Sequence, residues 1–143
     1  MNEDIIITEN DITSGDMERV NELMLQMSLN SSHLDFATVQ KVMESGFIFT
    51  ARDGLGNILG MASLIPARKL FAYFGTVEDV IVDEKMRGLG LGKKLTNKII
   101  EKAHALQLKY LDLTSGPQRE AANGLYQSMG FEKRDTNVYR MKL

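Results

Sequence analysis

The 143-residue sequence carries 17 lysines and arginines against 19 aspartates and glutamates, a formal net charge of −2, with 43% apolar residues. That is the size of one domain with one good core, expected over residues 1–143, and acids and bases so mixed exclude a general nucleic-acid or anionic-membrane binder, which shows a basic stripe. The absence of cysteine excludes disulfides, thiolate metal sites and a cysteine nucleophile.

The first residues, MNEDIIITENDITSGD, are acidic with a short apolar run, unlike the basic start and longer apolar segment of a signal peptide. No apolar stretch approaches the roughly 18 to 20 residues needed to span a bilayer, so a cytoplasmic protein is expected. Ile5 to Thr8 reads as a first strand. From Asp16, the apolar positions Met17, Val20, Leu23, Met24 and Met27 keep helical spacing, with Ser14 or Asp16 as cap. Phe36, Val39, Val42 and Met43 form one side of a second helix, which Gly46 ends. FIFTARDGLGNILGMASLIPA is a hairpin signal around Asp53-Gly54 and Gly56-Asn57, with Pro66 closing its second strand. Arg68 to Gly75 then reads as a loop or irregular strand. Val77 to Val82 is an apolar strand interrupted by Glu78 and Asp79. Leu91, Leu95, Ile99, Ile100, Ala103 and Leu106 describe a helix of about four turns. Tyr110 to Leu113 is a buried-looking strand, Arg119 to Met129 a helix stopped by Gly130, and short strands are expected around Phe131 to Lys133 and Val138 to Met141. Hairpins followed by strand–helix–strand–helix–strand imply a mixed sheet with helices on both faces.

The stretch VDEKMRGLGLGKKL places Gly88, Gly90 and Gly92 at a strand-to-helix junction. A dinucleotide fingerprint needs glycine where Lys93 stands, and a Walker loop needs glycine at Arg87 and Ser or Thr at Lys94, so both readings fail. What remains is physical. Glycines leave backbone N–H groups free to turn toward one point, and the helix from Leu91 aims its positive end there, so an anion, best a pyrophosphate, is expected; the alternative is a plain flexible turn.

These residues resemble the GNAT family of N-acetyltransferases. Its signature R/Q-x-x-G-x-G/A is matched by Arg87-Gly88-Leu89-Gly90-Leu91-Gly92, and REAANGLYQSMGFEKR is similar to the family's helix ending in L-Y-x-x-x-G-F. The order of elements agrees over nearly the whole chain. The resemblance implies an α/β (α+β) GNAT fold, with a mixed central sheet of about six to seven strands and about four helices on its two faces.

It also implies acetyl transfer from acetyl-CoA to an amine, directly within a ternary complex and without a metal. N–H groups from Arg87 through Gly88, Leu89, Gly90 and Leu91 to Gly92 would hold the pyrophosphate, with Lys93 and Lys94 adding charge. Main chain at Val80 and Val82 would pair with the pantetheine arm. Tyr126 would protonate the departing thiolate, although Ala122, Leu125 and Met129 on the same side also suit a core tyrosine. Many members carry asparagine seven residues before that tyrosine, where this chain has Arg119; Asn123 or Ser115 is then the candidate coenzyme contact.

The acceptor must lose a proton, because a lysine-like amine titrates near ~10 and only its neutral form attacks a carbonyl. A carboxylate suits this, and Glu78 with Asp79 is an acid pair in an apolar strand; regular alternation would send one of them into the cleft. A glutamate on this strand is a frequent base in the family, which favours Glu78, with Asp79 binding the amine or second choice; the bland alternative is a solvated strand end. A strand N–H, that of Val80, would hold the oxyanion.

His104 lies too far along its helix for the phosphates, and His33, between the first two helices, is a minor candidate for acceptor contact. Two isolated histidines make no metal site. Phe71, Tyr73 and Phe74 suit a pocket wall or a homodimer contact. A small amine such as an amino sugar, polyamine or amino acid is the expected acceptor; the alternatives are a protein or peptide amine, or a non-catalytic acyl-CoA-binding sensor.

Overall fold

A computed structural model describes residues 4–143, which fall into two compact units, 4–113 and 114–143. In the first, the strands β1 (Ile6–Glu9), β2 (Phe47–Arg52), β3 (Ile58–Lys69), β4 (Ala72–Val82) and β5 (Leu111–Asp112) lie side by side in chain order. All neighbours are antiparallel except β4 and β5, which run parallel because α3 (Leu91–Ala105) crosses between them. The helices α1 (Met17–Met27) and α2 (Phe36–Ser45) enter between β1 and β2.

The expected apolar stripes fill the core. Val20 and Leu23 of α1 and Val39 of α2 pack with Ile48, Ile58, Met61 and Ile81 of the sheet, with Met17, Met24 and Met27 filling around them. Leu91, Leu95, Ile99 and Ala103 are the buried stripe of α3, and its Leu91 and Leu95 approach Gly60 of β3, where a Cβ would lie 3.3 Å from Leu95 Cδ1. The side chain of Asp35 caps α2 by accepting the Thr38 N–H at 2.9 Å. At α1, neither Ser14 nor Asp16 caps the helix by its side chain; instead Asp16 Oδ2 accepts the Thr13 N–H at 2.8 Å and closes a 3-10 turn, Ser14–Asp16, ahead of the helix.

The sheet departs from expectation in several places. Among the described residues it has five strands, fewer than six to seven. Pro66 does not end the hairpin: β3 runs on to Lys69, because Pro66 lies beyond Leu64, the last β3 residue paired with β2, and its missing N–H interrupts no ladder there. Of the two readings of Arg68 to Gly75, the strand holds and the loop does not: it is the end of a long β3–β4 hairpin, paired from Gly60↔Val82 to Lys69↔Ala72 around Leu70 and Phe71. The strand expected at Tyr110 to Leu113 shrinks to Leu111–Asp112, half-buried.

The second unit holds α4 (Glu120–Ser128), and Gly130 follows it in the left-handed conformation with φ 98°. The strands expected around Phe131 to Lys133 and Val138 to Met141 do not form, and Val138, Tyr139 and Met141 stay exposed. Short apolar runs without a ladder partner do not hold a strand by themselves. Among the described residues no helix is long and apolar enough to cross a membrane.

Candidate active site

The acid pair sits on a fault in β4. Ser63 of β3 faces Glu78 and Met61 faces Ile81, so Ala62 alone opposes both Asp79 and Val80. This is a β-bulge, and Asp79 takes the left-handed conformation with φ 52° that the extra residue requires. The alternation expected of a regular strand therefore stops here: Glu78 and Asp79 both face solvent, between the buried Val77 and Ile81. Partial burial pushes the Glu78 carboxyl up, the Asp79 charge pushes it further, and a hydrogen bond from Thr76 offsets part of the rise. Burial raises Asp79 as well. A raised carboxyl is a stronger base, which is what proton removal from an amine asks of it.

The pairing of β4 is one-sided from the same point. β5 meets it only at Gly75↔Leu111 and Thr76↔Asp112, so from Val77 to Val82 the edge facing away from β3 has no strand partner among the described residues. An unpaired edge offers N–H and C=O groups to any extended ligand laid along it. Val80 and Val82 lie on this stretch, half-buried.

At the end of that edge comes the glycine loop. Arg87 does not project toward a phosphate: its Nε donates to the Val82 carbonyl at 3.2 Å and folds the side chain over the end of β4. Gly88 and Gly90 have φ 80° and 82°, which only glycine adopts at little cost, and a Cβ on either would meet nothing within 4 Å. Gly92 differs from them. It lies in the first turn of α3, where its carbonyl accepts the Thr96 hydroxyl at 2.8 Å. The first backbone bond of α3 runs from the Lys94 N–H to the Gly90 carbonyl at 3.1 Å, and among the described residues no side chain caps the helix. The N–H groups of Leu91, Gly92 and Lys93 are thus free, beside open space, at the positive end of a 15-residue helix. The donor set and the sign of charge of this cradle are those that a pyrophosphate calls for. Leu89 and the Lys93 side chain are exposed beside it, as is Lys94.

The second unit places Tyr126 on α4, half-buried, its ring edge-on to Phe131 with centroids 5.8 Å apart. Burial pushes the phenol up, against a smaller opposing effect of Arg119, so it is fully protonated at neutral pH. Asn123 spends its amide donor on the Gly116 carbonyl at 3.0 Å, which leaves its side-chain oxygen for a ligand. The Ser115 hydroxyl is buried with no hydrogen-bond partner among the described residues.

The remaining candidates separate from this line. His104 and His33 are exposed, on the last turn of α3 and in the α1–α2 connection. Tyr73 lies under the Arg68 guanidinium at 4.0 Å, and Phe74 stacks on Tyr110 at 5.2 Å beneath the Lys69 ammonium, so two of the three aromatics stiffen the hairpin while Phe71 is 90% exposed at its tip. A groove of about 340 Å³ lies between β1 and the C-terminal half of α3, away from the glycine loop; its charges pair with each other, Lys102 with Glu9 at 2.9 Å and Lys98 with Glu101 at 3.2 Å. Sequence reasoning missed Asp83, at the entrance to the loop, and Arg19 and Gln26, which hold that entrance from α1. No signal marks them, because the residues that meet are about 60 positions apart.

Comparisons with known proteins place the chain by sequence and by fold. An L-methionine sulfoximine/L-methionine sulfone acetyltransferase of Pseudomonas paraeruginosa is 37% identical over 86 residues, 59% of this chain and 50% of that protein. An L-2,4-diaminobutyric acid acetyltransferase of Marinococcus halophilus is 30% identical over 112 residues, 78% of this chain and 62% of that protein. The chain thus spans only half to about three-fifths of the length of these relatives. A crystal structure of a Trypanosoma brucei acetyltransferase shares the fold with a TM-score of 0.80 at 23% identity, over 98% of this chain and 100% of that one. The model of the acetyltransferase (GNAT) family matches residues 17–131, which takes in α1, the bulged β4, the glycine loop and α4. With that match over most of its length, the chain belongs to the GNAT acetyltransferase family.

Proposed function

We propose that the protein transfers the acetyl group of acetyl-CoA to the primary amine of a small molecule, with an amino acid as the acceptor class. The observation that carries this reading is the continuity along β4: acids on a bulge, an unpaired strand edge, and then a glycine cradle at a helix N-terminus. Each part answers one demand of the reaction. The free N–H groups of Leu91 to Lys93 neutralise the pyrophosphate, and the edge at Val80 and Val82 pairs with the amide-bearing pantetheine arm.

Glu78 takes the proton from the acceptor ammonium, the freed amine attacks the thioester carbon to form the C–N bond and a tetrahedral oxyanion, and its collapse then breaks the C–S bond. The Val80 N–H stabilises the oxyanion, the departing thiolate takes a proton from a phenol that burial keeps protonated, that of Tyr126, and the tyrosinate recovers it from the nitrogen, which sheds its second proton to become the amide. Asp79 holds the ammonium before transfer. The amino-acid preference rests on the two relatives whose names specify methionine derivatives and diaminobutyric acid.

Thiol release from acetyl-CoA over a panel of amino acids, polyamines, amino sugars and lysine peptides tests this. Release on an amino acid, lost in Glu78→Gln and slowed in Tyr126→Phe, is expected. Coenzyme binding with no release on any acceptor would sink the enzyme reading, and release on peptides alone would overturn the acceptor class.

A further inference from the structure

Asp83 is the one buried ionisable side chain among the described residues, at 7% exposure, and it stands between β4 and the glycine loop. Its Oδ1 accepts the Lys85 N–H at 3.1 Å and caps the 3-10 turn Glu84–Met86 that leads into Arg87. Its Oδ2 accepts from the Arg19 guanidinium of α1. Arg19 is itself fixed, with Nε on the Ile58 carbonyl at 2.9 Å and a terminal nitrogen on Glu22 at 3.1 Å. Two turns further along α1, the Gln26 side-chain oxygen accepts the Glu84 N–H at 2.9 Å. On the other side, the Asp83 N–H donates to the Leu59 carbonyl at 2.9 Å. The entrance to the loop is therefore held at three successive residues, Asp83, Glu84 and Lys85, and two of these anchors come from α1. Among the described residues the next segment has few such holds: Gly88, Leu89 and Gly90 are exposed and two of them left-handed.

A loop built for bare backbone cannot fix its own position, since glycine adds conformational freedom and offers no side chain to pack. The position has to be imposed at its ends. Leu91, buried at the start of α3, supplies one end. We propose that Arg19, Asp83 and Gln26 supply the other, as positioning residues that set where the loop leaves β4 and so aim its N–H groups at the coenzyme pyrophosphate. The inference rests on the acetyl-CoA reading given above.

The test measures hydrogen exchange over residues 84–93 in the free protein and CoA affinity by calorimetry. Asp83→Asn keeps an oxygen for the Lys85 cap and loses the charge pair; Gln26→Leu removes the hold on Glu84 and a lesser hydrogen bond to Asp83 while sparing the Arg19 pair, and serves should Asp83→Asn fail to fold. Arg52→Met is the control. It breaks a comparable network, in which Arg52 reaches Asp11 at 3.1 Å and Asp16 at 3.0 Å, without touching the loop. Asp83→Asn and Gln26→Leu should each speed exchange in 84–93 and weaken CoA binding by about tenfold, while Arg52→Met lowers the melting temperature and leaves both readouts unchanged. Exchange and affinity equal to wild type in the loop variants, or equal losses in Arg52→Met, would overturn the positioning role. Wild-type protein that binds no CoA would instead sink the acetyl-CoA reading, an outcome separate from a failed clamp beside normal CoA binding.

Discussion

Gly90→Ala and Gly56→Ala form a matched pair that separates the folding role of a left-handed glycine from a ligand-binding role. Gly90 has φ 82° at the N-cap of α3, and Gly56 has φ 86° in the β2–β3 hairpin. A Cβ at either site meets nothing within 4 Å, so neither substitution adds a clash. What remains is the strain of an L-residue in left-handed backbone, roughly 1–2 kcal/mol at each position. For a chain of this size that predicts a fall in melting temperature of about 3–7 °C, alike for the two variants within a few degrees. CoA binding should not be alike. At Gly90 the new methyl stands beside the free N–H groups of Leu91 to Lys93, in the open space assigned to the pyrophosphate, whereas Gly56 lies on a remote turn. CoA affinity should fall at least about tenfold in Gly90→Ala, equivalent to ~1.4 kcal/mol, and stay at the wild-type value in Gly56→Ala. Differential scanning calorimetry and isothermal titration on the same preparations give both numbers. Equal CoA affinities in the two variants would refute the assignment of the cradle, whatever their melting temperatures.

Four further outcomes follow from the bulge and from one tight contact. With its carboxyl raised by burial and by Asp79, Glu78 should impose an acid limb on kcat/KM above the ordinary glutamate range; Glu78→Gln should cost about 10²–10⁴ in rate and remove that limb, and a limb that survives assigns the base elsewhere. A carboxyl whose pKa is raised on folding contributes most stability below its unfolded pKa and loses it as pH rises through the folded one, so Asp79→Asn should gain stability at pH 7 relative to pH 3, by less than about 1 kcal/mol because the exposed charge is screened. At the same residue, φ 52° makes Asp79→Val cost roughly 1–2 kcal/mol while Asp79→Gly is tolerated, and urea midpoints that fail to separate the two would argue against the bulge. Gly46→Ala should lose about 1–3 kcal/mol, read as a lower denaturation midpoint, because the new Cβ would sit 2.8 Å from the Leu64 carbonyl oxygen and 3.3 Å from that of Val42, where backbone must move.

How far the sequence announces this site depends on the range over which each constraint acts. The glycine loop and α3 are legible because their causes are local: Gly90 must turn left-handed, Leu91 must bury, and both facts lie within one turn of helix. Even there the pattern overstates itself, since Gly92 shares the spacing of Gly88 and Gly90 yet takes ordinary helical conformation. The acid pair is visible as composition, but its geometry is not, because aspartate tolerates left-handed backbone well enough that nothing at Asp79 signals a bulge. Pro66 misleads for the opposite reason: it marks a strand end only where a neighbouring strand needs its N–H, and β2 has already stopped. The Arg19–Asp83 and Gln26–Glu84 contacts, 64 and 58 positions apart, depend on α1 crossing behind the end of β4, so no periodicity or motif can point to them. Chemistry carried by backbone groups leaves its trace in the glycines that expose them. The side chains that aim the same backbone leave none, because many unrelated residues could brace a loop from a distance, and which ones do is fixed only when the chain has folded.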